Sequence, residues 1–272
     1  MPLAEFHSRT RLAVGGEAFD ALCRAKVAVF GLGGVGGWCA EALARTGIGS
    51  ITLVDCDDIA PSNVNRQTIA TCETIGRPKA EALAQRLATV NPSADIRPVN
   101  ARYCADTAGD FDLASFDYVI DAIDSVRDKA LLVRSALAAE NTRLFSSMGA
   151  ALRFDPLRIR TSPFDKVSGD GLAKALRAAL RKSGGIPAKK FTCVWSDEPP
   201  AGNAADGTAR GSLVQVTAVF GFVLASLVVN DITKPLLPGS RAIRTADVRK
   251  HLSEAEDLVQ LDGKRPAVAE AR

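Results

Sequence analysis

Gly31, Gly33 and Gly36 form a G-x-G-x-x-G pattern in the stretch FGLGGVGG, with Gly34 in the same turn. Glycine there removes the Cβ atoms that keep phosphate oxygens away from backbone N–H groups. A helix beginning near Gly34 aims its positive end at the same place. Asp55, at the end of the following apolar run, accepts hydrogen bonds from both hydroxyls of a ribose. These features suit a redox dinucleotide and ATP equally. The residues after Asp55 separate the two. VDCDDIAPSNVNRQTIA and IGRPKAEA place Asp57, Asn63, Arg66, Gln67 and Lys79 beyond the ribose acid. A bound dinucleotide ends its charge at the pyrophosphate, whereas an ATP that is consumed carries about four negative charges and needs cations for the leaving phosphates. Arg66 and Lys79 suit that task, as catalytic and as nucleotide-binding residues.

Phosphate chemistry of this kind calls for a divalent ion. Magnesium prefers carboxylate and phosphate oxygens. Asp124 in VIDAIDS stands just past a central strand, on the rim where ligands bind in α/β sheets, with Asp121 or Asp57 nearby. A helix N-cap ahead of SVRDKALL is the plainer explanation of Asp124 taken alone; beside the other motifs, metal binding ranks first.

The elements that must position these groups alternate. AKVAVFGL, SITLVDCD, DIRPVNARY, FDYVIDAID and TRLFSSMGA read as strands, with helices between them, the second starting near Pro78. The fold class is α/β: a doubly wound, mostly parallel, Rossmann-like sheet with a smaller C-terminal substrate-binding part. The expected division is 1–150 for the nucleotide-binding domain, 151–235 for the substrate part and 236–272 for a frayed tail. GDGLAKALRAALRKSGG reads as a helix with its leucines on one face, and TCVWSD as a short strand.

Charge is +3 overall, but residues 151–190 hold ten Lys or Arg against three Asp. A solvated helix face or a nucleic-acid backbone accounts for such a run. The six cysteines include no C-x-x-C pair, against a zinc site or a disulfide scaffold. The N-terminus lacks the apolar core of a signal peptide, so a cytoplasmic protein is expected. Ser212 to Asn230 is nearly uncharged and close to membrane-spanning length. It reads as a buried core helix ahead of a membrane span.

The ordered set G-x-G-G-x-G, D-x-D, S-N-x-x-R-Q, G-x-P-K-A and D-A-x-D resembles the adenylating domain of the ubiquitin-activating, ThiF-like superfamily, from Arg9 to about Gly149. The resemblance implies phosphate contacts from Gly33 and Gly36 and ribose contact from Asp55. It implies triphosphate contacts from Asn63, Arg66 and Lys79, and Mg2+ on Asp124. It further implies a homodimer in which Arg9 or Arg11 of one protomer reaches the ATP of the other. ARTGIGSITLVDCDD, YVIDAIDSVRDKALL, DPLRIRTS and TCVWSDE are similar to the tRNA threonylcarbamoyladenosine dehydratases of that superfamily, up to Asn230. That branch implies adenylation of the threonyl carboxylate on modified tRNA, followed by closure of the neighbouring carbamoyl group with loss of AMP. Ring closure within one substrate needs no catalytic cysteine, and Cys193 reads first as a small buried apolar residue. The family's further cysteine before the last helix is replaced here by Arg210-Gly211-Ser212. A tRNA substrate gives the basic run a role, with Lys174, Arg177, Arg181, Lys189 and Lys190 as candidate phosphate contacts.

Two rival readings remain. An activator of a ubiquitin-like or sulfur-carrier protein predicts a partner protein and normally a zinc site or reactive thiol. An NAD-binding oxidoreductase leaves Arg66 and Lys79 unexplained.

Overall fold

The computed structural model describes residues 5–201 and 211–237. Seven strands form one sheet in the order β3-β2-β1-β4-β5-β7-β6. They are β1 (Lys26–Phe30), β2 (Ser50–Val54), β3 (Asp95–Val99), β4 (Tyr118–Asp121), β5 (Arg143–Ser147), β6 (Ile159–Pro163) and β7 (Thr192–Ser196). All neighbours run parallel except the edge strand β6, which is antiparallel to β7. The chain reverses its direction of growth between β1 and β4, which opens a crevice at their carboxyl ends.

Side chains alternate across each strand, so both faces of the sheet must be covered. Val27 and Val29 join an apolar core with α2 (Gly16–Arg24), α3 (Gly36–Thr46), α4 (Lys79–Val90) and α7 (Val214–Thr233). Ala28 and Phe30 point the other way, into a core completed by α5 (Val126–Ala138) and α6 (Gly171–Lys182). A short helix α1 (Ser8–Val14) precedes α2.

The helix after the glycines starts at Gly36 rather than Gly34, and the next starts at Lys79 with Pro78 as its N-cap. The stretches on either side of residue 150 share one sheet, because β7 hydrogen-bonds to β5. By length and composition α7 could cross a membrane, yet half of its most apolar window is enclosed. Val216, Phe220, Leu224 and Val228 are buried against the core around α3. The 202–210 link, which includes Arg210, and the tail from 238 onward lie outside the described residues.

Candidate active site

The crevice opens where β1 ends. Gly31 adopts φ +85°, and a Cβ there would lie 2.7 Å from the Ala122 carbonyl oxygen. A Cβ at Gly36 would lie 1.8 Å from the Gly31 carbonyl oxygen. These two glycines let the loop fold against its own backbone and against the connection after β4. Gly33 differs, since the nearest atom to its missing Cβ is Gln67 Nε2 at 3.8 Å. Gly34 is covered: Arg66 Cγ and Thr217 Oγ1 stand 3.0 Å and 3.2 Å from where its Cβ would be. The open approach to the loop is therefore at Gly33. No side chain caps α3, which leaves its N-terminal end to an incoming anion.

Asp55 is held by the loop it serves: its Oδ2 accepts from Leu32 N at 2.6 Å and its Oδ1 from Asp57 N at 2.9 Å. An ionised carboxylate has further lone pairs, so both oxygens can still receive ribose hydroxyls. Lys79, 6% exposed, places Nζ 2.7 Å from Asp57 Oδ2 and 3.9 Å from Asp55 Oδ1. The Lys79 hydrogen bond holds the Asp57 carboxyl below its ordinary pKa, against the opposing effect of burial. Asn63 is buried and closes a short turn, accepting from Ala60 N at 3.0 Å. That turn aims Arg66 and Gln67 at the glycines. Arg66 Nη1 donates to the Ser62 carbonyl and to Asn65 Oδ1, both at 3.0 Å, and Trp38 Nε1 donates to the Arg66 carbonyl at 2.9 Å. The Oε1 of Gln67 is buried and without a partner.

Asp124 is exposed in the connection between β4 and α5. The plainer explanation of this residue fails, because the N-cap of α5 is Ser125. Asp124 makes no side-chain hydrogen bond or ion pair among the described residues. Asp121 is occupied instead: its oxygens accept from Ser146 Oγ (2.6 Å) and Ile123 N (3.1 Å), and Lys129 Nζ stands 2.9 Å away. Asp124, unlike Asp121, has its oxygens free among the described residues, and it suits a hard divalent cation.

The basic run divides. Arg177 Nη2 donates to the carbonyls of Phe164 and Val167, with its guanidinium 4.9 Å from the Phe164 ring centre. Lys189 donates to the carbonyls of Ala139, Glu140 and Thr142. These two expected phosphate contacts are committed to the fold, and Lys190 stands 4.0 Å from Asp165. Lys174, Arg181 and Lys182 remain exposed on α6. Arg153, one more member of the run, is 3% exposed with Nε and Nη1 unpartnered.

The family model described as the ThiF family matches residues 7–255. The chain belongs to the ThiF family. It is 42% identical to the tRNA threonylcarbamoyladenosine dehydratase of Bacillus subtilis over 193 residues, 71% of this chain and 75% of that one. Among solved structures, the Escherichia coli tRNA N6-threonylcarbamoyladenosine dehydratase in complex with ATP superimposes with a TM-score of 0.78 at 36% identity, covering 84% of this chain and 94% of that one. The same enzyme in complex with AMP gives 0.79 at 35% identity, with the same coverage.

Within this ThiF-family chain one expected nucleotide contact stands apart from the crevice of its own chain. Arg11 pairs with Asp20 at 3.1 Å and stacks over Phe19, which abuts Gly47 at the far end of α3. Eleven helical residues, about 16 Å, separate that end from the phosphate loop. Cys193 is fully buried in β7, and burial pushes its thiol pKa up, so it is a packing residue. Sequence reasoning passed over Lys129 and Thr217. Lys129 lies at helical spacing with Leu132, Val133 and Ala136, all buried on α5. A charge inside that apolar stripe was the available signal. Thr217 reaches Gly34 only through the packing of α7 on α3, which no local pattern encodes.

Proposed function

We propose that this ThiF-family protein uses ATP to dehydrate threonylcarbamoyladenosine in tRNA, through adenylation of the threonyl carboxylate. The observation that carries this reading is the placement of Lys79 and Asp124 beyond β2 and β4, the two strands that flank β1 and its open Gly33. A dinucleotide that stays whole needs neither group. The likeness to a dehydratase solved with ATP and with AMP, along most of both chains, supports the substrate.

A carboxylate is a poor electrophile, and the site's task is to change that. The threonyl carboxylate oxygen attacks the α-phosphorus of ATP, the bond to the bridging β-oxygen breaks, and pyrophosphate leaves. Arg66 and Lys79 hold the charge that develops on that leaving group. Asp55 fixes the ribose, and the N–H groups near Gly33 hold the phosphate chain. Mg2+, held by Asp124 together with phosphate oxygens, would neutralise part of the same charge. The carbamoyl group of the same nucleoside then attacks the acyl carbon; the acyl–phosphate oxygen bond breaks, AMP departs, and a carbamoyl N–H gives up its proton as the ring closes. Because nucleophile and electrophile share one substrate, closure is intramolecular and gains effective concentration.

Lys174, Arg181 and Lys182 offer phosphate contacts for the tRNA outside the reacting centre. Arg11 cannot serve the crevice of its own chain, and a homodimer would let Arg9 or Arg11 serve the partner's. The test is AMP release and ATP–pyrophosphate exchange with tRNA that carries threonylcarbamoyladenosine, against the same tRNA lacking it. AMP release with the modified tRNA alone is expected. No response to either tRNA would reject the assignment and direct the search to a carrier protein with a C-terminal glycine.

A further inference from the structure

Lys129 is among the largest fully enclosed side chains of the described residues, at 0% exposure, and its partner Asp121 is also 0% exposed. A buried ion pair is weak as a stabilising device, since apolar side chains of similar volume usually hold a fold as well or better. What this pair holds is informative. Asp121 Oδ1 accepts from the Ile123 amide at 3.1 Å, and Lys129 Nζ donates to the Ile123 carbonyl at 3.0 Å. Both polar backbone groups of Ile123 are thus fixed by the two ends of one ion pair. Ser146 Oγ, on the neighbouring strand, steadies the acid at 2.6 Å. The residue immediately after Ile123 is Asp124. The residue before it, Ala122, donates its amide to the Phe30 carbonyl at 2.8 Å and lays its own carbonyl against Gly31.

We propose that Lys129 and Asp121 are positioning residues that fix the Asp124 carboxylate for the divalent cation of the nucleotide complex; this rests on the reading of Asp124 given above. The pair also cancels the Asp121 charge, so that of the two acids after β4 Asp124 is the uncompensated one. Partners that orient a metal-binding carboxylate have large effects on affinity without touching the ion.

The test is Mn2+ binding, read by electron paramagnetic resonance in the presence of a non-hydrolysable ATP analogue. The double variant Asp121→Leu with Lys129→Met removes both charges and retains most of the volume. It leaves the Ile123 amide and carbonyl and the Ser146 hydroxyl without these partners, so it is expected to fold with a melting temperature at or below that of the wild type. Its Mn2+ affinity in the nucleotide complex should fall about 10- to 100-fold, while metal-free nucleotide binding stays unchanged. Unchanged Mn2+ affinity in the folded double variant overturns the proposal. Should that variant not fold, Ser146→Ala, which loosens Asp121 but keeps the pair, is expected to shift Mn2+ affinity in the same direction by less; no shift overturns it. Asp124→Asn separates the two levels: Mn2+ affinity unaffected by Asp124→Asn rejects the metal role of Asp124 itself.

Discussion

Lys79 and Asp57 meet at 2.7 Å, so the ammonium proposed for the leaving phosphates rests against the carboxylates that follow β2 in a nearly buried position. On that proposal ATP draws Lys79 from this partner. Lys79→Ala is therefore expected to lower adenylate formation about 10²- to 10³-fold, the usual cost of removing one charge-stabilising donor. Pyrophosphate exchange measures it. A loss below tenfold would show that Lys79 does not face the leaving group.

Gly33 and Gly36 part company under substitution. Gly33→Ala meets nothing closer than 3.8 Å and should fold with a wild-type melting temperature while binding ATP more weakly. Gly36→Ala drives a methyl group into the Gly31 carbonyl and should lower the melting temperature as well. Thermal melting alongside ATP titration separates the two, and equal melting temperatures would contradict this packing of the loop.

The cations of residues 151–190 separate in the same manner. Reversing the charge of Lys174, Arg181 and Lys182 to Glu should weaken tRNA binding and flatten its dependence on salt, by about one unit of slope for each phosphate that is no longer neutralised. ATP binding should not change. Arg177→Ala should instead lower the melting temperature, because it strips partners from the Phe164 and Val167 carbonyls. If all four variants changed only the salt slope, the division between structural and surface cations would be wrong.

Much of this layout is legible in the sequence, and the limits are physical. The run from β1 through the glycines to Asp55 declares itself because its signals are local: a β-branched strand, glycines at fixed offsets, and an acid one strand later. Arg66, Lys79 and Asp124 are singled out in the sequence by the charge that a consumed ATP would carry, and their roles remain proposals. Sheet order is another matter. That β7 lies beside β5 and that Thr217 covers Gly34 depend on pairings across long separations, which no window of residues contains. Arg177 and Lys189 show the same gap from the other side, since a cation that bonds to backbone carbonyls reads in the sequence like one that faces solvent.

Glu41 supplies a prediction about acid. It is 3% exposed, bonded by Arg86 and Arg45. Burial alone would raise its pKa, but the hydrogen bonds and charges of Arg86 and Arg45 outweigh it and hold the folded value below the ordinary one. A depressed carboxyl stabilises the folded state fully above the unfolded pKa of about 4.3 and ceases to do so as pH falls through the folded value. Glu41→Gln should therefore melt lower at pH 7, and its melting temperature should fall less steeply below about pH 4.3 than that of the wild type. Parallel melting curves across that range would count against the ion pairs.

The last described helix has a bearing on how the protein is made. A Cβ at Gly221 would lie 2.5 Å from the Val35 carbonyl oxygen, so α7 sits directly against the start of α3, and Thr217 of the same helix covers Gly34. The phosphate loop is synthesised early, but one of its walls arrives only with residues 214–233. A chain cut before that point would carry the glycine loop without the helix that packs on it. Folding of the loop is thus tied to a helix far away in the chain, and a product lacking α7 would leave Gly34 and the start of α3 uncovered.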